Sequence, residues 1–123
     1  SLFDRIHGVT IMRQLLSVDP IPDAVFCFND LVALGAMRAI TAAGLRIPDD
    51  IAVIGFDDIT EGRYSVPSLT TIAPDKKSIA ENAVVLLNER INGKRNEPKI
   101  VHPPFELVAR KSTIGDAYHD EEE

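Results

Sequence analysis

Two apolar runs decide the fold of this protein: Ala24-Val-Phe-Cys-Phe28 and Ile51-Ala-Val-Ile-Gly-Phe56, each followed by a polar pair. Continuous apolar runs of this length, bounded by turns, are typical of strands buried on both faces. Between them a helix is predicted from about Leu31 to Ala43, with Gly44 in the left-handed position that ends it. Strand, helix and strand in this order predict an α/β fold with a mostly parallel sheet flanked by helices.

The same alternation continues on both sides of these runs. Apolar periodicity predicts a first helix within residues 3–18 and a third helix from about 74 to 91, with Gly93 beyond its end. A short helical turn is expected near Glu61, and short strands are expected at 69–72, 99–102 and 105–108.

Composition bounds the function without specifying it. The chain has 123 residues, of which 45% are hydrophobic and 26% charged, as in one ordinary globular domain. No run approaches the roughly 18 apolar residues of a membrane-spanning helix. Its one cysteine, Cys27, excludes an internal disulfide framework. These features predict a soluble, cytoplasmic protein with no membrane partner.

The net charge of −6 comes mostly from the C-terminus. Residues 116–123 contain five acidic and no basic residues, so residues 1–115 carry a net charge of only −1. The expected organisation is therefore a domain over 1–115 followed by an acidic flexible tail over 116–123. A nearly neutral body without a basic stripe argues against direct DNA binding by this chain.

Polar pairs follow both apolar runs, at the edge where open α/β sheets bind ligands. Asn29-Asp30 follows the first run and Asp57-Asp58 the second, so we expect these side chains to share one edge. Asn29 or Asp30 also caps the next helix, Asp30 being favoured, and the second pair could simply form a turn. Adjacent charged aspartates repel, so a partner is expected, either a ligand hydroxyl or an arginine.

Catalytic and metal-binding patterns are not found. His7, His102 and His119 lack partners at ligand spacing, which argues against a zinc site. Cys27 is most simply a core residue, and no serine lies in a nucleophile elbow. No glycine spacing predicts a dinucleotide or phosphate loop. We therefore predict no enzyme activity, no catalytic residue, no metal and no cofactor.

Six stretches, in order and at matching spacing, resemble signatures of the lactose-repressor family of transcription regulators. They are residues 22–30, 33–38, 43–51, 53–58, 67–72 and 107–113. The resemblance covers about residues 3–115 and implies the C-terminal part of the effector-binding domain, a truncated lobe of a type I periplasmic-binding-protein-like fold. It implies an N-terminal lobe and a helix-turn-helix upstream, and a chain that starts after the first strand of its lobe.

The resemblance also implies a ligand site. It places Asp57 on the effector as an acceptor of hydrogen bonds, Asn29 as a second polar contact, and Phe3 as an aromatic that stacks on a ring. Asp30 is a candidate contact from its place at the strand end. Phe3 could instead be a core anchor for the first helix. The implied effector is a sugar or a related small polar metabolite that allosterically alters operator binding.

Dimerisation through this lobe is a further implication of the resemblance. The expected surface combines one face of the second helix with the loop before Leu69, and about half of its members could instead pack inside the domain. Its residues are Leu31, Leu34, Met37, Arg38, Tyr64, Ser65 and Val66.

Two other classes of protein remain open at this point. A phosphoacceptor receiver domain has similar length and an acidic pair at a strand end that could hold Mg²⁺, but no lysine follows a convincing strand where that site needs one. A periplasmic solute-binding lobe would require export, for which the sequence carries no signal.

Overall fold

A computed structural model describes residues 3–119 of the chain. These residues form two compact units, one comprising residues up to 73 and from 107 onward, the other residues 74–106. The elements in chain order are α1 (Arg5–Leu15), β1 (Ala24–Phe26), α2 (Asp30–Ala42), β2 (Ala52–Phe56), α3 (Thr60–Tyr64), β3 (Thr70–Pro74), α4 (Lys76–Ile91), β4 (Phe105–Val108) and α5 (Lys111–Ile114).

The strands form one sheet in the order β1-β2-β3-β4. β1 pairs in parallel with β2, and β2 in parallel with β3, with Ala24 opposite Ala52 and Ile54 opposite Thr70. The mostly parallel α/β sheet predicted from the sequence is therefore confirmed. The parallel pairing also brings the carboxyl ends of β1, β2 and β3 to one edge.

The prediction that the two apolar runs form strands buried on both faces is wrong. β1 is only three residues long and lies at the edge of the sheet, so Phe26 and Phe28 are 65% and 74% exposed. In β2 burial alternates, with Val53 and Gly55 buried and their neighbours partly exposed. One face of the sheet thus packs on the core while the other stays partly open.

The core lies between the sheet and the pair α1 and α2. Met12, Ile40, Ile51, Val53 and Leu69 are its largest fully buried apolar side chains. These five side chains pack in one cluster, which connects the helices with β2 and with Leu69, the residue before β3.

Two glycines allow α1 and α2 to approach closely. A Cβ on Gly8 would overlap the carbonyl oxygen of Val32, and a Cβ on Gly35 would overlap the carbonyl oxygen of Arg5. α2 ends as predicted, because Gly44 has φ +76° and the Leu45 amide donates to the Ile40 carbonyl at 3.2 Å.

The unit of residues 74–106 is dominated by α4. Asp75 caps the helix by accepting a hydrogen bond from the Ser78 amide at 2.9 Å, so the helix begins at Lys76, two residues after the predicted start. No α4 residue is buried. The strand predicted at 99–102 is wrong, since these residues have no strand pairing between Pro98 and Pro103, which lack backbone donors.

The last described residues belong to the body of the fold. α5 was not predicted, and a short 3₁₀ turn at Gly115–Ala117 follows it. Residues 120–123 of the predicted flexible tail lie outside the described residues, and the mobility of the tail stays a prediction. Within residues 3–119, no helix combines the length and apolarity needed to cross a membrane.

Candidate functional site

The turn after β2 carries the Asp57-Asp58 pair in an unusual backbone conformation. Asp57 has φ 114° and Asp58 has φ 52°, and both are non-glycine residues with positive φ. Such conformations cost about 1–3 kcal/mol each and persist only where the surroundings enforce them. The Asp57 amide donates to the Ile72 carbonyl at 2.9 Å, which fixes the start of the turn to β3.

The carboxylate of Asp58 is held by two arginines. Arg110 Nη2 lies 2.7 Å from Oδ1, and Arg63 Nη2 lies 3.0 Å from Oδ2. Burial alone would raise the pKa of the Asp58 carboxyl, but the two guanidinium groups outweigh it and leave that pKa below its ordinary value. An arginine is therefore the partner of this acidic pair, one of the two partners expected from the sequence.

Asp30 is buried and supports the turn from below. Its Oδ1 accepts a hydrogen bond from Thr71 Oγ1 at 2.7 Å, and its Oδ2 accepts one from the Ile59 amide at 2.9 Å. Burial is the main cause that raises the pKa of the Asp30 carboxyl, with the negative charges of Asp57 and Asp58 adding to it. The prediction that Asp30 contacts a ligand directly is wrong, because the residue is fully buried and both of its carboxylate oxygens accept hydrogen bonds.

Asn29 joins the end of β1 to the start of α1. Its Oδ1 accepts from the Val32 amide at 2.9 Å, so Asn29 caps α2, and the preference for Asp30 as the cap was wrong. Its Nδ2 donates to the Phe3 carbonyl at 3.2 Å. Because Asn29 is the cap, Asp30 lies inside the first turn of α2, where its side chain is fully buried.

Phe3 presents an aromatic ring near this edge. The Phe3 side chain is 53% exposed, and its ring centroid lies 5.3 Å from that of Phe28, with the rings tilted by 37°. An exposed ring does not fit the alternative of a core anchor. Phe28 was not singled out from the sequence; its place directly before Asn29 is the signal that could have found it.

Asp57 differs from its two acidic neighbours. Within residues 3–119, no hydrogen-bond donor or cation pairs with its carboxylate, and the residue is partly exposed at the strand end. A carboxylate in this state accepts directional hydrogen bonds from hydroxyl or N–H groups of a ligand. The same described part of the chain contains no group of three or more metal-ligating side chains.

An apolar groove of about 280 Å³ lies between α1 and β1. Its lining includes Ile11, Leu15, Phe26 and Phe28, but neither Asp57 nor Asp58. A groove without a carboxylate does not suit a polyol, although Phe3 also lies in its lining.

The residues predicted to form a dimer surface divide into two groups. A groove of about 450 Å³ between α2 and the loop after α3 is lined by Leu34, Met37, Arg38, Thr41, Ala42, Ser65 and Val66. Val66 is 94% exposed, whereas Met37 is 5% exposed and packs mainly in the core. Leu31 and Tyr64 do not line this groove. No partner chain tests the surface, so it stays a prediction.

The chain is similar to known transcription regulators over most of its length. A family model described as a periplasmic binding protein-like domain matches residues 4–113. The HTH-type transcriptional repressor PurR of Pasteurella multocida is 46% identical over 110 residues, which cover 89% of this chain and 33% of that protein. The chain therefore spans about a third of the length of the curated relatives it matches.

Solved structures agree with this similarity. A putative LacI-family regulator from Sanguibacter keddieii superposes with TM-score 0.86 at 44% identity, covering 92% of this chain and 43% of that one. The CelR–cellobiose complex has TM-score 0.85 at 36% identity (89% and 34% covered), and the lac repressor dimer bound to operator and an anti-inducer has 0.80 at 37% (89% and 38%). The chain thus belongs to the periplasmic binding protein-like domain family, in the form carried by lactose-repressor-type transcription regulators.

Proposed function

We propose that this chain is the ligand-sensing and dimerisation portion of a cytoplasmic transcriptional repressor and performs no catalysis. The observation that carries the proposal is the Asp57 carboxylate, which lies at the strand edge without a described partner, while both oxygens of Asp30 and of Asp58 accept hydrogen bonds. Among the proteins named above, PurR is a transcriptional repressor and the lac repressor dimer is bound to operator, which supports a regulatory role.

The proposed effector is a sugar or a related small polar metabolite. Asp57 would accept hydrogen bonds from its hydroxyl groups, Asn29 would supply a second polar contact, and Phe3 would cover an apolar ring face. One similar structure holds cellobiose, which supports the class of ligand. Asp30 has no place among the contacts, because it is fully buried, whereas Asn29 is partly exposed.

The effector is proposed to act on DNA binding through the rest of the natural protein. Operator DNA would be contacted by a helix-turn-helix upstream of this chain, and a homodimer would place two such modules on one operator. The intact mass of the natural gene product, captured from its source cells, tests this arrangement. A product two to three times the length of this chain supports it, and a product of 13.5 kDa overturns it.

Isothermal titration of the natural gene product with cellobiose, sucrose and ribose tests the effector class. We expect Asp57→Asn to weaken binding by at least about tenfold, because a charge-assisted hydrogen bond contributes about 1.5–3 kcal/mol. Asp49→Asn, at an exposed side chain near β2, is the matched control and should leave affinity unchanged. Equal affinity of the Asp57 variant and the parent, or no binding of any sugar, would contradict the proposal.

A phosphoacceptor function is less well supported. Mg²⁺ at an acidic pair needs open carboxylate oxygens. Asp58 is paired with Arg110 and Arg63, and Asp30 is buried, so Asp57 is left as a single open carboxylate.

A further inference from the structure

We propose that Arg110, Asp58 and Asp30 are positioning residues that hold the Asp57 turn in its unfavourable conformation, so that effector affinity depends on side chains that do not touch the effector. The inference rests on the proposed role of Asp57 as the ligand acceptor. It adds to that role the reason why the carboxylate faces a ligand.

The turn needs external support because two successive residues have positive φ. Asp57 at 114° and Asp58 at 52° both lie where L side chains are disfavoured. Neither residue is a glycine, so the backbone itself does not favour the turn. Energy to hold it must come from contacts made by the surroundings.

Three consecutive amides of the turn are each fixed by a different acceptor. The Asp57 amide donates to the Ile72 carbonyl, the Asp58 amide to Thr71 Oγ1 at 3.3 Å, and the Ile59 amide to Asp30 Oδ2 at 2.9 Å. Thr71 in turn donates to Asp30 Oδ1, so Asp30 supports two of the three amides. A buried carboxylate is suited to this task because it accepts from several donors at once.

Arg110 fixes the turn from the opposite side. Its Nη2 binds Asp58 at 2.7 Å, and both side chains are largely buried, at 6% and 14% exposure. Arg110 is itself fastened to β3, since its amide donates to Thr70 Oγ1 at 2.7 Å and its Nη1 donates to the Leu69 carbonyl at 2.9 Å. Asp58 is therefore joined through one guanidinium to the backbone carbonyl of Leu69, directly before β3.

Substitution of Arg110 tests the proposal in the natural gene product. We compare the parent with Arg110→Met and with Asp58→Asn. The second variant keeps the shape of the side chain, and it serves as the test if Arg110→Met does not fold. Crystal structures give φ of Asp57 and Asp58, and titration with cellobiose gives affinity. We expect both variants to move Asp57 out of the positive-φ region and to weaken cellobiose binding at least tenfold.

Two control variants separate positioning from general stability. Ile40→Val shortens a fully buried core side chain of α2, and so lowers stability without removing a hydrogen bond of the turn. Arg46→Met removes an exposed ion pair between Arg46 and Asp50. Neither residue forms a hydrogen bond with the turn. Both controls should keep the parent φ values and the parent affinity.

The outcomes distinguish this inference from the proposed function. Parent φ values in Arg110→Met and Asp58→Asn, or an affinity loss no larger than that of Ile40→Val, would overturn the positioning role. If Asp57→Asn loses affinity while Arg110→Met does not, only the positioning role fails. If Asp57→Asn binds like the parent, the proposed function fails as well, whereas the φ values still decide whether Arg110 holds the turn.

Discussion

Three aspartates meet at the end of β2, and each has a different environment. Asp30 is buried and accepts two hydrogen bonds, Asp58 is paired with two arginines, and Asp57 is partly exposed. The sequence places all three at one sheet edge but does not distinguish them. Their differences arise from Thr71 and Arg110, which lie 41 and 52 residues away from the aspartates they bind.

Asp30→Ala should lower the free energy of unfolding by about 1–3 kcal/mol, since it leaves the partly buried Ile59 amide without an acceptor. Urea denaturation followed by circular dichroism measures the change. Asp49→Ala, at an exposed carboxylate, is the control and should stay within about 0.5 kcal/mol of the parent. A parent-like midpoint for the Asp30 variant would show that this carboxylate does not support the turn.

The pH dependence of stability should show opposite contributions from Asp30 and Asp58. The lowered pKa of Asp58 gives stability that is fully present above the unfolded value of about 3.9 and is lost as the pH falls through the folded pKa. The raised pKa of Asp30, caused mainly by burial, makes the ionised form costly, so this cost is relieved as the pH falls through that pKa towards about 3.9.

Urea unfolding of the parent, Asp30→Asn and Asp58→Asn between pH 2.5 and pH 7 tests both signs. Asp30→Asn should remove a gain in stability on acidification above about pH 4, and Asp58→Asn should remove a loss below it. Parallel pH profiles for all three proteins would show that neither carboxyl contributes as described.

At the level of elements, two helices lie unusually close, and the sequence alone did not show it. Gly8 and Gly35 lie within segments predicted to be helical. The sequence around each glycine does not show that another helix packs against it. The ends of helices were predicted more accurately. Gly44 follows the end of α2, and Asp75 caps α4, both close to the predicted positions. Strand burial was misjudged because it depends on what covers the sheet, and α5 was missed because four residues carry no period.

Gly35→Ala should destabilise the protein by about 1–3 kcal/mol, although the same change in an open helix gains about 0.5–1 kcal/mol. The reason is that the new methyl group would overlap the Arg5 carbonyl of α1. Thermal unfolding measures the sign. Gly93→Ala is the comparison: its φ of +69° costs about 1–2 kcal/mol, but the methyl group meets open space. A higher melting temperature for Gly35→Ala would contradict the close helix contact.

At the level of the whole molecule, the family was readable from the sequence, whereas the arrangement of the surface was not. Six matching stretches at fixed spacing predicted the family correctly. Burial of Met37, by contrast, depends on packing of α2 on the core, which helical periodicity does not resolve. The proposed dimer surface therefore rests on the groove that Val66 and Leu34 share.

Val66→Lys should weaken dimerisation of the natural gene product, because it places a charge in an apolar part of the groove. Sedimentation equilibrium at micromolar concentration should show a larger monomer fraction than in the parent. Ile100→Lys, at an aliphatic side chain of similar exposure outside the groove, should sediment like the parent. Identical association of the Val66 variant and the parent would place the interface elsewhere.

The late position of Arg110 also matters during protein synthesis. Translation completes all four strands before it reaches this residue, which then braces the turn between β2 and α3. A polypeptide interrupted after β4 contains the whole sheet and the Asp57 carboxylate. It lacks the Arg110 guanidinium, which binds Asp58 in the turn. On the proposed role of Arg110, a product that ends before this residue would bind effector at least about tenfold more weakly than a product that contains it.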